Sequence, residues 1–206
     1  KKFDKWVTDY RSMACATDRN CSLHLHDPRK IKQFFVLGEK LAKKRAQILT
    51  QIIRGDPQEA LRLAVDEEKL NNLPPFLAQH MEQWVYDFVD LESVHVCYNP
   101  EHPGLIKRWA TLSNGERLRA WVYGNRKNIP SANGVATWGV RLREDFAISD
   151  SPYRLRDRQD ANYIRFGSNE IAYSSVAEKN LFLHELESLE QKNLSGRRSF
   201  SYPIIA

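Results

Sequence analysis

"LIKRWATLSNGERLRAWVY", residues 105–123, alternates apolar and polar side chains on both sides of Ser113-Asn114-Gly115-Glu116. Asn-Gly between two alternating runs is the strongest short-range hairpin signal in a sequence. The stretch predicts an antiparallel pair with Asn114 and Gly115 at the centre of a type I′ turn, both at positive φ. On the second strand Leu118, Ala120 and Val122 share one face, and Arg117, Arg119, Trp121 and Tyr123 share the other. Cations interleaved with aromatics suit a surface that stacks nucleic-acid bases. They equally suit an ordinary sheet, where cross-strand aromatic pairs are a normal stabilising device.

Downstream the period-2 pattern continues. "GVATWGVRL" (134–142) and "FAISDSP" (146–152) read as a second hairpin joined through Arg143-Glu144-Asp145, and "NYIRFG" and "EIAYS" as two further strands. Glu144 and Asp145 read as turn residues that point apart. "VAEKNLFLHELESLEQK" then places Leu183, Leu186 and Leu189 along one helical stripe, with its carboxylates on a solvated face.

Upstream the period is near 3.6. "FDKWVTDY" sets Phe3, Trp6, Val7 and Tyr10 on one helix face. Asp27-Pro28 is an N-cap followed by proline at the first helical position. The helix it opens carries Phe34, Leu41 and Ile48 with Phe35, Ala42 and Leu49, and runs to about Ile53 before the "RGDP" break. Asp56, Pro57 and Glu59 begin a short helix with the makings of a capping box. "LPPFLAQHMEQW" reads as another helix opened by its prolines, and the switch to strand falls near Tyr86. These elements predict an α+β fold: an N-terminal helical layer packed on a small, mostly antiparallel sheet, with a C-terminal helix. The expected divisions are a helical subdomain over 1–90, a β subdomain over 91–160 sharing its core, and a C-terminal extension with one helix over 161–206.

Composition narrows the function. With 42% hydrophobic and 28% charged residues in 206, the chain has enough apolar mass for a folded core. No apolar run approaches the ~20 residues that cross a bilayer. Net charge is +5, but 26 carboxylates are mixed among 31 cations. A nucleic-acid domain usually concentrates its charge, so nucleic acid is not the expected partner. Lys43, Lys44 and Arg45 sit on a helix whose other face is apolar and read as a solvated face.

Cys15, Cys21, His24 and His26 place four metal donors within twelve residues, but neither the cysteine nor the histidine spacing matches a structural zinc site. Cys15 and Cys21 are also a candidate disulfide, subject to geometry. There is no G-x-S-x-G, H-E-x-x-H or glycine-rich phosphate loop. No catalytic residue, metal or cofactor is therefore expected, and an enzyme with an unrecognised site ranks last.

The order of several short motifs is informative. "FDKWVTDY" and "GEKLAKKRAQILTQIIRGDPQEALRLAV" lead to "LPPFLAQHMEQW", then "RLRAWVYGNRK" and "GVRLREDFAISDSPYRL". Over residues 3 to 158 this resembles the N-terminal module of large secreted bacterial multidomain proteins, many of which carry a zinc metallopeptidase domain downstream. The matching positions are Asp56-Pro57, Leu73-Pro74, Val122-Tyr123-Gly124 with Arg126, and Ser149-Asp150-Ser151-Pro152. The "CATDRNCSLHLH" stretch departs from the pattern. No catalytic residue carries over, since the matching motifs contain none. The resemblance implies an extracellular or periplasmic chain whose signal peptide has been removed. Its expected role is a non-catalytic pro-domain or interaction module that shields or positions a protein partner, such as a downstream peptidase domain. The interaction residues expected are Cys97, Trp121, Tyr123 and Arg126. Cys97, before the turn-rich "YNPEHPG", could offer a thiolate to a peptidase zinc; its ordinary alternative is an inert buried thiol. The rival class is a nucleic-acid-binding module using the basic aromatic sheet face.

Overall fold

A computed structural model describes residues 1–14, 28–95, 106–127, 134–155 and 162–195. The chain is α+β, with an N-terminal helical region, two sheets and a C-terminal helix. It divides into two units: Lys1–Gln51 with Val65–Glu82, and Ile52–Ala64 with Gln83–Ala206.

In the first unit α1 (Lys2–Ala14) turns the expected stripe inward, with Phe3, Trp6 and Val7 buried. Trp6 donates its indole N–H to the Phe34 carbonyl at 3.0 Å and stacks on the Phe34 ring. Phe34 belongs to α2 (Pro28–Gly55), one turn before Gly38. A methyl at Gly38 would overlap the Trp6 indole, so this helix carries glycine where helices otherwise avoid it. Further along α2 the buried positions are Ala42, Ala46, Leu49 and Ile53, while Ile48 is exposed. A strict seven-residue spacing drifts around a 3.6-period helix, which carries Ile48 off the packed side.

Arg45 departs from the expected solvated basic face. It folds inward and donates twice to the buried carboxylate of Glu82, at 3.0 and 2.7 Å. Glu82 also accepts the Val65 N–H at 2.7 Å. A buried charge is tolerable only when paired and hydrogen-bonded in this way.

α3 (Pro57–Leu63) and α4 (Glu67–Asn71) are capped by Asp56 and Asp66. Asp56 accepts the Glu59 N–H, but the Glu59 carboxylate turns to Arg62, so only half of the capping box forms. The helix expected over "LPPFLAQHMEQW" is a single turn, α5 (Pro75–Ala78), and Gln83 and Trp84 already belong to the first strand. "QWVYDFV" alternates at period 2 and is rich in aromatic and β-branched residues, which favours strand.

The second unit contains a closed barrel. Its strands β1 (Gln83–His95), β2 (Ile106–Thr111), β3 (Arg117–Val122), β4 (Val135–Leu142) and β5 (Asp145–Ile148) close in the order β1-β2-β3-β5-β4. β4-β1-β2-β3 is an antiparallel Greek key. β5 completes it, parallel to β3 and antiparallel to β4. A five-stranded Greek-key barrel is the architecture of OB folds. Val89, Leu91, Ala110, Leu118, Ala120, Val122, Phe146 and Ile148 form its core. A second antiparallel sheet follows, ordered β6 (Tyr153–Leu155), β7 (Tyr163–Phe166), β8 (Asn169–Ala172). α6 (Val176–Ser195) sets Leu186 and Phe182 against Phe166, Ala136 and Phe88.

The β2–β3 connection is a hairpin, but its turn is not type I′. Gly115 has φ 84°, and no positive φ occurs at Asn114. Leu112 accepts from the Gly115 N–H and donates to the Glu116 carbonyl, both at 2.9 Å, which closes a three-residue loop, Ser113 to Gly115. Glycine in the left-handed region is the usual closing residue of such a loop. Ser113 is drawn into the loop by Asp87, whose buried carboxylate accepts both its N–H and its hydroxyl at 2.9 Å. The Asn114 side chain accepts the Glu116 N–H.

Candidate interaction surface

Because Leu118, Ala120 and Val122 fill the barrel, Arg117, Arg119 and Trp121 face outward, beside Trp109 of β2, which pairs with Arg119. The Arg117 guanidinium lies 4.8 Å over the Trp109 ring and donates to Glu92 at 2.7 Å. Arg119 lies 4.6 Å over the Trp121 ring. Trp121 donates its indole N–H to Asp145 at 2.7 Å. Asp145 in turn receives Arg54 Nε and Nη2 at 3.0 and 2.8 Å, and this pairing holds the Arg54 guanidinium above its ordinary pKa. The outer face is thus a ladder of alternating anions, cations and rings, running from Glu92 to Arg54.

Asp145 corrects the sequence expectation. It is not a turn residue but the first residue of β5, only 2% exposed. The turn itself is Arg143-Glu144, with Arg143 at φ 57°. The chain's own guanidinium groups thus lie over the Trp109 and Trp121 rings.

Tyr123 follows β3 and is half-buried. Burial pushes its hydroxyl pKa up, against a hydrogen bond with Ser149 that lowers it, and the Asp150 charge adds to the rise. Arg126 lies in a 3-10 turn (Gly124–Lys127) and is fully buried. It donates Nε to the Ser149 carbonyl and Nη2 to the Ala136 carbonyl, at 3.2 and 2.9 Å. Its Nη1 has no partner among the described residues. Arg126 therefore ties the end of β3 to β4 from inside. Trp121 is drawn to Asp145 while Tyr123 lies near Ser149 and Asp150, so the two aromatics serve different neighbourhoods.

Cys15, Cys21, His24, His26 and Cys97 lie outside the described residues. Among the described residues no set of three or more His, Cys, Asp or Glu side chains is arranged to hold a metal, and no helix is long and apolar enough to cross a membrane.

The helical unit carries a feature that the sequence reading did not single out. Tyr10, Ile31, Phe35, Val36, Pro74 and Phe76 line a groove of about 740 Å³, with Lys32 and Glu39 also in its wall. Val36 is 59% and Leu37 49% exposed. Lys43, 2.6 Å from Glu39, holds that carboxyl below the ordinary carboxylate pKa. The available signal was "IKQFFVL", residues 31–37, which has more apolar positions than one packed stripe uses. Comparison with protein families, with characterised proteins and with solved structures gives no match for this chain.

Proposed function

We propose that this chain is a non-catalytic protein-interaction module, a pro-domain or accessory domain of an extracellular or periplasmic protein, which docks on a partner domain to shield or position it. The apolar groove on the helical unit carries the reading. Exposed aromatic and aliphatic side chains around a groove mark a protein contact more often than chance surface, and anchors spaced along a helix or strand fill such grooves. The ordered motifs that resemble the N-terminal module of secreted multidomain proteins supply the setting and the partner: the domain that follows it in the precursor.

The test uses the chain and that following domain, produced separately and mixed. Binding is expected for the natural chain, with at least a tenfold loss for Val36→Asp combined with Phe76→Ser at unchanged circular dichroism. Equal binding by the variant overturns the groove assignment; no binding by the natural chain overturns the module.

A second reading rests on the barrel. OB-type barrels bind oligonucleotides on the β2–β3 face, where Trp109, Trp121, Arg117 and Arg119 stand. The engagement of each ring by a guanidinium of the same chain weighs against it. Oligonucleotide binding at physiological salt that weakens steeply with added salt would reverse the ranking.

A further inference from the structure

Three large aromatic rings share the outer wall of the barrel away from the Trp121 ladder. Trp84 and Tyr86 alternate along β1, and Trp138 on β4 pairs with Tyr86. The Trp84 and Trp138 rings lie 6.2 Å apart and 26° from parallel. Into this set β6 inserts the guanidinium of Arg154. Its Cζ is 3.8 Å from the centroid of Trp84, 5.4 Å from Trp138 and 6.0 Å from Tyr86. Arg154 Nη1 donates to the Tyr86 hydroxyl.

What is missing around Arg154 is as informative. It belongs to no ion pair among the described residues. Its direct cross-strand partner on β7 is Arg165, another cation, which lies 4.3 Å over the far-reaching Tyr86 ring. Like charges directly opposite in a sheet are destabilising; Arg165 also stands opposite Glu170 of β8, while the guanidinium of Arg154 is set against the rings. Trp138 also keeps its indole N–H buried without an acceptor among the described residues. A purely apolar wall would avoid that cost, whereas tryptophan presents the best face for a cation.

We propose that Trp84, Tyr86 and Trp138 form a guanidinium-recognition site, filled in cis by Arg154, which latches β6 to the barrel wall. The site is preformed by β1 and β4, so it accepts an external guanidinium when Arg154 is taken away. The ligand class is a planar delocalised cation: the planar group lies against Trp84 while one N–H reaches the Tyr86 hydroxyl.

The experiment compares the natural chain with Arg154→Ala and Arg154→Met, each titrated with ethylguanidinium and with neutral ethylurea at millimolar concentrations. The expected result is saturable quenching of tryptophan fluorescence and a rise in melting temperature for Arg154→Ala with ethylguanidinium, absent with ethylurea and absent in the natural chain. The response should disappear when Trp84→Ala is added. No saturable response in a folded Arg154→Ala chain, or an equal response to ethylurea, overturns the proposal. Arg154→Met covers the case in which the alanine variant does not fold. Methionine fills the space without a charge, so its melting temperature should fall below that of the natural chain, and an equal or higher value also overturns the proposal.

Discussion

The indole N–H of Trp121 reaches the Asp145 carboxylate at 2.7 Å across the parallel strands β3 and β5, and Arg54 closes on the same carboxylate from the end of α2. Asp145 is 2% exposed, whereas the Arg54 side chain is 45% exposed. Asp145→Ala removes the shared acceptor and strands a part-buried indole donor, while Arg54 can rehydrate. The loss should be about 2–3 kcal/mol, below the range for breaking a fully buried pair. Arg54→Met should cost at least as much, because it leaves the buried Asp145 carboxylate without its counterion, held only by the Trp121 N–H. Urea denaturation of both variants checks the order, and a clearly smaller loss for Arg54→Met contradicts the account of Asp145 as a buried charge that needs its guanidinium.

The β2–β3 turn makes a prediction that separates two turn types. Gly115 is in the left-handed region with open space around its Cα, so a side chain there meets backbone strain alone. Gly115→Val should cost about 1–2 kcal/mol. In a type I′ turn Asn114→Gly would relieve strain. In the observed three-residue loop it relieves none and removes the bond to the Glu116 N–H, so it should destabilise. A gain in melting temperature for Asn114→Gly restores the two-residue turn.

Local signals reveal local structure here. The stripe of α1, the length of α2, the start of α6 and both hairpins follow from periodicity and turn residues within a few positions of one another. Of the three leucines expected on one stripe of α6, however, only Leu186 is buried in the core, beside Phe182. Barrel closure does not follow from local signals, because it depends on Val89 pairing with Val135 and on Arg119 pairing in parallel with Asp145. The site residues behave likewise. Asp145 resembles its turn neighbours until Arg54, ninety-one positions earlier, is brought to it. Arg45 looks like part of a basic face until Glu82 is seen buried beneath it. Side chains whose partners are remote in sequence are read wrongly for the same reason each time: composition shows the charge but not its counterion.

Tyr173 supplies a pH dependence with a definite sign. Burial first, and the Glu178 charge second, push its hydroxyl pKa from 10.0 up to about 12. The folded chain therefore holds this proton more tightly than the unfolded chain does. Stability from Tyr173 is fully present below the unfolded pKa and is lost as the pH rises through about 12. A phenolate absorbance titration should show one late component, removed by Tyr173→Phe. At neutral pH the same variant should be no less stable, since the buried hydroxyl has no partner among the described residues. A clear loss at neutral pH points to a hydrogen bond there.

Gly38 sets helix propensity against packing. Alanine in the interior of an exposed helix normally gains about 1 kcal/mol over glycine. In α2 the added methyl would overlap the indole of Trp6. That ring is 3% exposed, stacked on Phe34 at 4.8 Å and held through its N–H to the Phe34 carbonyl. It cannot swing away without losing these contacts, so overpacking should win and Gly38→Ala should cost a net ~1–3 kcal/mol. The cause is checked by a double-mutant cycle with Trp6→Leu, which vacates the space above Gly38. If the indole is the obstacle, Gly38→Ala becomes neutral or favourable in the leucine background, and the two changes couple strongly. Simple additivity would mean that Gly38 is required by the helix itself and not by the tryptophan lying on it.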